Sequence, residues 1–179
     1  ESDKESKKAV LRRALEFVPK SVRLWKEAVS LHPPEDAKIM LGRAVECIPT
    51  SVDLWLALAH LETYDNARRV LNAARDAVPT DQRIWIAAAK LEEANGKSDR
   101  VPQIIKVSLE MLEANGVSLD RDVWLKEAEK AERARAPLTA ASLVHATLDM
   151  GVEAEDRLRT FMDDASQAEQ HGAFETSRA

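Results

Sequence analysis

The chain has 179 residues, of which 45% are hydrophobic and 32% are charged, and its formal net charge is −5. Its longest apolar run, residues 54–59, is far shorter than the roughly 20 residues of a membrane-spanning helix, so no membrane span is predicted. The acidic balance disfavours a dedicated nucleic-acid-binding protein but leaves room for a local basic patch. A single cysteine, Cys47, excludes an internal disulfide and is expected to be a small core residue in a reducing compartment.

Three stretches of the chain repeat one another at intervals of thirty residues. Each contains a proline six residues before a tryptophan, and the pairs are Pro19 and Trp25, Pro49 and Trp55, and Pro79 and Trp85. Apolar residues recur at spacings of three and four after each tryptophan, and a second such set follows before the next proline. This spacing is typical of amphipathic helices, so each period is predicted to contain two.

The prolines and the residues after them predict where these helices end and begin. Proline lacks an amide hydrogen and disfavours helical backbone in the preceding residue, so one helix should end just before each proline. The side-chain oxygens that follow can cap the next helix, and they belong to Ser21, Thr50, Ser51, Thr80 and Asp81. Two helices only about 18 Å long cannot cover their apolar faces alone, so neighbouring pairs must stack. The predicted fold is all-α, a right-handed α-solenoid of stacked antiparallel helix pairs.

The second half of the chain keeps this pattern with longer loops. Trp124 follows Trp85 by 39 residues, and Phe161 lies 37 residues further on, where the segment 161–173 parallels 124–136. First helices are therefore predicted to begin near residues 22, 52, 82, 121 and 155. Residues 4–18 are predicted to form a second helix that lacks its first.

The helix pairs predict one repeat array over residues 1–179. Its parts are a truncated repeat at 1–19, repeats at 20–49, 50–79, 80–116 and 117–151, and an incomplete repeat at 152–179. Both ends are open, whereas a solenoid normally closes with polar caps. We therefore expect the chain to be an internal piece of a longer array.

The repeat signature resembles a known class. A tryptophan or its equivalent is followed by a small residue four positions later and a glutamate seven or eight positions later, as in Trp124, Ala128 and Glu132. This pattern, with the terminal proline, resembles the half-a-tetratricopeptide repeat, which is found mostly in RNA-processing proteins. Residues 34–75 and 85–96 resemble the repeat region of the pre-mRNA-processing factor 6 family. Phe161 in place of tryptophan and His32 in place of glutamate depart from the pattern.

The resemblance implies a function that spacing and composition do not. It implies a non-enzymatic nuclear scaffold of the spliceosome, which bridges small nuclear ribonucleoprotein particles in the assembled tri-particle complex. Its partners would be other spliceosomal proteins, with indirect contact to RNA, no cofactor and no small-molecule ligand. The residues agree with this, because the four histidines are at least 26 residues apart and the five glycines at least 20 apart. Such spacings predict neither a metal site nor a phosphate-binding loop. No catalytic residue is expected, although distance in sequence does not by itself exclude a catalytic triad.

Five basic residues are the candidate partner-binding residues. Lys8, Lys38 and Arg68 recur every thirty residues, as do Arg13 and Arg43, so stacking should align them in two ladders. The ladders would contact RNA phosphates or an acidic protein segment, or would pair with the first-helix acids, which are Glu27, Asp53 and Glu62. A single-stranded RNA-binding repeat protein of another RNA-processing complex is the alternative function. Such a protein needs exposed aromatic side chains, whereas the tryptophans are predicted to be core, so a protein partner is favoured.

Overall fold

The computed structural model describes residues 2–148, 150 and 157–178 of the chain, without the side chains of residues 2, 157 and 158. These residues form α-helices, one 3₁₀ turn and loops, and no strand is present among them. The helices are α1 (Ser2–Phe17), α2 (Val22–Ser30), α3 (Pro34–Cys47), α4 (Val52–Leu61), α5 (Tyr64–Ala77), α6 (Gln82–Ala94), α7 (Val101–Ala114), α8 (Arg121–Arg133), α9 (Pro137–Thr147), α10 (Arg157–Gln170) and α11 (Phe174–Arg178). The all-α prediction is confirmed.

The chain divides into two compact units, Glu1–Ile84 and Trp85–Ala179. In the first unit each helix from α1 to α5 packs against the next along the chain. In the second unit α8 packs against α9, α7 against α9, and α10 against α11. Stacked helix pairs are therefore present in each unit, as predicted for an α-solenoid. The finer division into six repeats stays a prediction, and its boundary at residue 151 lies outside the described residues.

The helices begin and end close to the predicted positions. Four first helices begin at Val22, Val52, Gln82 and Arg121, whereas the start predicted near residue 155 lies outside the described residues. Three second helices end two residues before Pro19, Pro49 and Pro79. Proline therefore sets the helix ends, as its missing amide hydrogen predicts.

Side chains cap two of the three helices for which caps were predicted. The Ser21 hydroxyl accepts a hydrogen bond from the backbone N–H of Leu24 at 3.4 Å, and the Asp81 carboxylate accepts one from Arg83 N–H at 2.9 Å. Ser51 takes the cap position of α4 but forms no side-chain cap. That prediction is wrong for Ser51, because only its backbone carbonyl accepts, from Leu54 N–H at 3.2 Å.

The core of each unit contains the predicted tryptophans, with one exception. Trp25, Trp85 and Trp124 are buried, and Trp124 has no exposed surface. Trp55 packs against the core of the first unit but is only half-buried. Its ring therefore faces the core as predicted, but it is less buried than a core residue. Phe161, which replaces a tryptophan, is half-buried as well.

Candidate partner-binding groove

The proline and tryptophan of the repeat signature are joined by a hydrogen bond. The indole Nε1–H of Trp25 donates to the carbonyl oxygen of Pro19 at 2.8 Å, and Trp55 donates to Pro49 in the same way at 2.8 Å. The carbonyls beyond a helix end lack an intrahelical partner, so the indole satisfies an acceptor there. The six-residue spacing is therefore structural, and it fixes the tryptophan beside the end of the preceding helix.

The first members of the basic ladder are neutralised within their own helices. Lys8 Nζ forms an ion pair with Glu5 at 2.7 Å, and Lys38 Nζ forms one with Glu35 at 3.3 Å. The hydrogen bond from Lys8 also lowers the pKa of Glu5 below its ordinary value. The pairing predicted with acids of the first helices is wrong for Lys8 and Lys38, because a residue three positions earlier on the same helix is a nearer partner.

The remaining ladder residues lie on exposed helix surface. The Arg68 guanidinium lies over the Tyr64 ring, 5.6 Å from its centre, as in a cation–π contact. Arg13 on α1 and Arg43 on α3 are both exposed. Whether any of these residues binds a partner stays a prediction.

The first-helix acids have other partners. Glu27 pairs with Lys7 at 3.5 Å, and Asp53 pairs with both Lys26 and Arg83, the latter at 3.0 Å. The hydrogen bond from Lys26, joined by one from Arg83, holds the pKa of Asp53 below its ordinary value despite partial burial. Asp53 on α4 thus links two other first helices, since Lys26 lies on α2 and Arg83 lies on α6.

A groove lies in the first unit between the second helices α1 and α3, with α2 as its floor, and encloses about 820 Å³. The floor contains Trp25 and Ala28, and apolar wall residues are Leu15 from α1 and Met40 from α3. The bond from Trp25 to Pro19 holds the floor in place, since both residues line the groove.

Charged side chains of both signs line the same groove. They are Lys8, Arg12 and Glu16 from α1, and Asp36, Arg43 and Glu46 from α3. Lys8 and Arg43 are thus the two predicted partner-binding residues that the fold brings together. Arg13, Lys38 and Arg68 are not among the residues that line it. Arg12 was not among the five predicted ladder residues, because it has no counterpart thirty residues later, where Gly42 stands.

A smaller cavity of about 330 Å³ lies in the second unit between α8, α9, α10 and α11. The polar side chains that line this cavity make contacts with one another. Arg121 forms an ion pair with Asp164 and lies over the Phe161 ring, 5.3 Å from its centre. His171 Nδ1 lies 2.9 Å from a carboxylate oxygen of Glu129. These polar side chains already have partners, so the cavity offers fewer free groups to a ligand than the groove does.

Two glutamates hold the start of a helix that lies more than forty residues later in the chain. Glu93 on α6 accepts hydrogen bonds from the backbone N–H groups of Leu138 and Thr139, at 2.8 Å each, and from the Thr139 hydroxyl at 2.6 Å. The first turn of a helix has free N–H groups and a positive dipole end, which suit a carboxylate. Each of these glutamates lies eight residues after the tryptophan of its repeat.

Glu132 on α8 makes the same contacts with the start of α11. It accepts from the N–H groups of Glu175 and Thr176 at 2.8 Å and from the Thr176 hydroxyl at 2.7 Å. Burial raises the pKa of Glu132, but these hydrogen bonds outweigh it and hold the pKa below its ordinary value. The sequence marked Glu132 as part of the signature without revealing this role, and Glu93 was missed.

Two further properties bear on the kind of site the chain offers. Within the ranges 2–148 and 157–178, no three side chains of His, Cys, Asp or Glu come together as a metal-binding group. No helix in the described part of the chain is long and apolar enough to cross a membrane.

Comparisons with known proteins identify relatives of part of the chain. No protein-family model matches it. Pre-mRNA-processing factor 6 of Homo sapiens is 56% identical over 87 residues, which are 49% of this chain and 9% of that protein. Pre-mRNA-splicing factor prp1 of Schizosaccharomyces pombe is 47% identical over 87 residues, 49% of this chain and 10% of that protein. Protein STABILIZED1 of Arabidopsis thaliana is 48% identical over 76 residues, 38% of this chain and 7% of that protein.

The matches thus span no more than a tenth of the length of these relatives and between 38% and 49% of this chain. Identities near one half over such a stretch agree with the resemblance seen in the repeat sequence. The resemblance is confirmed: over about half of its length, this chain is related to the pre-mRNA-processing factor 6 family.

Proposed function

We propose that this chain is a protein-binding scaffold of the pre-mRNA splicing machinery. The observation that carries the proposal is the 56% identity over 87 residues to a protein named as a pre-mRNA-processing factor. In its finer form the proposal is that the chain bridges small nuclear ribonucleoprotein particles in the tri-particle complex, with other spliceosomal proteins as partners. It acts in the nucleus, and it performs recognition without catalysing a reaction.

The arrangement of charged residues supports a recognition role. Glu93 and Glu132 are occupied in holding helix starts, and Asp53 joins neighbouring first helices. These acids are thereby committed to the fold, while the groove between α1 and α3 offers apolar and charged side chains together. A groove of this composition suits a protein segment, because protein interfaces combine an apolar centre with a polar rim.

Direct binding of single-stranded RNA is the alternative, and two observations disfavour it. Trp25, Trp85 and Trp124 are buried, so these rings cannot stack on bases. Lys8 and Lys38 each have an acidic partner on the same helix, which reduces their attraction for phosphate. Indirect association with RNA, through a protein partner, requires neither exposed aromatic rings nor unpaired lysines on this chain.

Capture from nuclear extract, with and without nuclease, tests the proposal. We expect the immobilised chain to retain the same splicing proteins, identified by mass spectrometry, after the RNA has been digested. Loss of all of them on digestion would show that RNA mediates the association, and the scaffold proposal would fail.

A titration with fluorescent single-stranded RNA tests the alternative by itself. We expect only weak binding at physiological salt, in the range typical of non-specific contact with nucleic acid, a Kd of about 10⁻⁴ to 10⁻⁶ M. Tight binding that falls steeply with added salt, and that Arg43→Glu abolishes, would favour the RNA-binding function instead.

A further inference from the structure

Resting on the proposed function, we propose that the groove between α1 and α3 binds one amphipathic helix of a partner protein, and that this helix carries an acidic turn next to a basic turn. The groove is bounded by two helices and floored by a third, all within the first unit. An apolar stripe on an incoming helix would lie along the floor, as in other grooves that bind helices.

The apolar part of the groove has an accessible edge. Ile39 on α3 lines the groove and leaves 62% of its surface exposed, although it is a large hydrophobic residue. Leu15 and Trp25 lie deeper, each with less than a tenth of its surface exposed. A partner that covers Ile39 extends the existing core outward and removes this apolar surface from water.

Near their C-terminal ends, the two walls of the groove carry charges in the same order. On α1 the arginine Arg12 precedes the glutamate Glu16 by four residues, and on α3 Arg43 precedes Glu46 by three. Each spacing is about one helical turn, or roughly 5 Å. Since α1 and α3 are alternate members of a stack with short connections, they run in the same direction. Both walls therefore present positive charge and, one turn later, negative charge near their C-terminal ends. Nearer their N-terminal ends, α1 carries Lys8, which is paired with Glu5, and α3 carries Asp36.

These four charges lack internal partners. In the part of the chain that the structure describes, ion pairs within 4.0 Å occupy Lys8 and Lys38 but include none of Arg12, Glu16, Arg43 and Glu46. A partner with acidic residues opposite the arginines and basic residues opposite the glutamates complements both walls at once. Glu16 and Glu46 would repel the phosphates of RNA, so the order of charges selects a protein helix.

The chain contains its own reporter for this groove. Cys47 is the only cysteine in the sequence and lines the groove near the end of α3. A bound helix should shield its thiol from a maleimide reagent. If the occupied groove does not react, the alkylation rate follows the unbound fraction, so a peptide at about four times its Kd should slow alkylation about fivefold.

The probes are three synthetic amphipathic peptides of about 18 residues, which share the same leucine stripe. One carries an acidic turn followed by a basic turn, one carries glutamates in both turns, and one carries lysines in both. We expect the mixed-charge peptide to protect Cys47 at concentrations about tenfold lower than either single-sign peptide requires.

Charge reversal in the protein provides the matched test. Arg12→Glu with Arg43→Glu should weaken the mixed-charge peptide about tenfold or more, because like charges then face each other. Arg23→Glu is the control, since Arg23 is an exposed arginine of the same unit, on α2, and does not line the groove. Reversing the charges of Arg12, Glu16, Arg43 and Glu46 together should restore binding, because the peptide can then enter in the opposite direction. Helical circular dichroism and the melting temperature confirm that each variant is folded.

Several results would overturn the inference. Equal protection by all three peptides would remove the role of charge, and protection by a single-stranded oligonucleotide would make the groove a nucleic-acid site. Protection that rises with the concentration of the protein alone would make a second copy the occupant. If peptide binding fails while capture of splicing proteins survives nuclease, this inference falls and the scaffold function stands. If peptide binding succeeds while capture is lost with the RNA, the groove stands and the scaffold function falls.

Discussion

The indole Nε1–H of Trp25 donates a 2.8 Å hydrogen bond to the carbonyl oxygen of Pro19, six residues earlier in the chain. The proline ends one helix, and the tryptophan belongs to the first turn of the next, so the bond joins two consecutive helices at their junction. The same bond links Trp55 to Pro49. The six-residue spacing of proline and tryptophan therefore has a structural reason: the indole N–H donates to the proline carbonyl while the ring packs against the core.

The bond and the packing of Trp25 can be measured separately. Trp25→Phe keeps an aromatic ring but loses the donor, and we expect it to lower the free energy of unfolding by about 1 to 2 kcal/mol. Trp25→Ala also opens a cavity and should cost about 3 to 5 kcal/mol. Urea denaturation followed by circular dichroism gives both values. Trp55→Ala should cost less than Trp25→Ala, because Trp55 is only half-buried, and equal costs would contradict this burial argument.

Glu132 should stabilise the start of α11 through its carboxylate. Glu132→Gln keeps the shape but cannot accept from two backbone N–H groups and the Thr176 hydroxyl as a charged group does, so we expect a loss of about 1 to 3 kcal/mol in urea denaturation. Glu110→Gln is the control, because Glu110 is an exposed glutamate on α7. A loss no larger than that of Glu110→Gln would show that the contact does not stabilise the fold.

The contribution of Glu132 should depend on pH in one direction. Its pKa lies below the ordinary value of 4.5, because hydrogen bonds from Thr176 and the N–H of Glu175 outweigh the opposing effect of burial. A carboxyl group with a lowered pKa adds stability that is complete above the pKa of the unfolded chain and is lost as the pH falls through the folded pKa. The stability difference between the wild type and Glu132→Gln should therefore shrink between about pH 6 and pH 3. A difference that grows on acidification would contradict the assignment.

Arg135 occupies a backbone conformation that favours glycine. Its φ is +61°, and Gly96 and Gly172 have φ values of +72° and +76° at the equivalent positions, eleven residues after Trp85 and Phe161. Arg135→Gly should raise the free energy of unfolding by about 1 kcal/mol, because the strain of a side chain there is removed. Gly96→Ala should have the opposite effect, although its new Cβ would meet no atom within 4 Å. Thermal melts of both variants check the signs, and a destabilised Arg135→Gly protein would contradict the strain argument.

The sequence predicted the helices well, because their signals are local. Prolines and apolar spacing placed the starts of α2, α4, α6 and α8 at Val22, Val52, Gln82 and Arg121. These signals act within a few residues and do not depend on how the helices pack. The same holds for burial of Trp25 and Trp124, which lie on apolar helix faces.

The polar contacts were harder to predict, because they depend on packing between distant segments. Glu132 and Thr176 are 44 residues apart, and no spacing in the sequence predicts that this carboxylate binds the start of a later helix. The ladder pairing failed at Lys8 for the opposite reason, since Glu5 on the same helix is a nearer partner than any acid on a neighbouring helix. The position of Arg12 in the groove could not be predicted from periodicity, because Gly42 stands thirty residues after it in place of a basic residue.

The most direct test of the protein-scaffold account is a quantitative capture experiment on nuclease-treated nuclear extract. We compare wild type, the double variant Arg12→Glu with Arg43→Glu, and the control Arg23→Glu at equal amounts on the resin, and splicing proteins are quantified by mass spectrometry. We expect wild type and Arg23→Glu to retain the same splicing proteins, and the double variant to lose at least one of them about tenfold. Failure of the wild-type chain to retain any splicing protein once the RNA is digested would contradict the account.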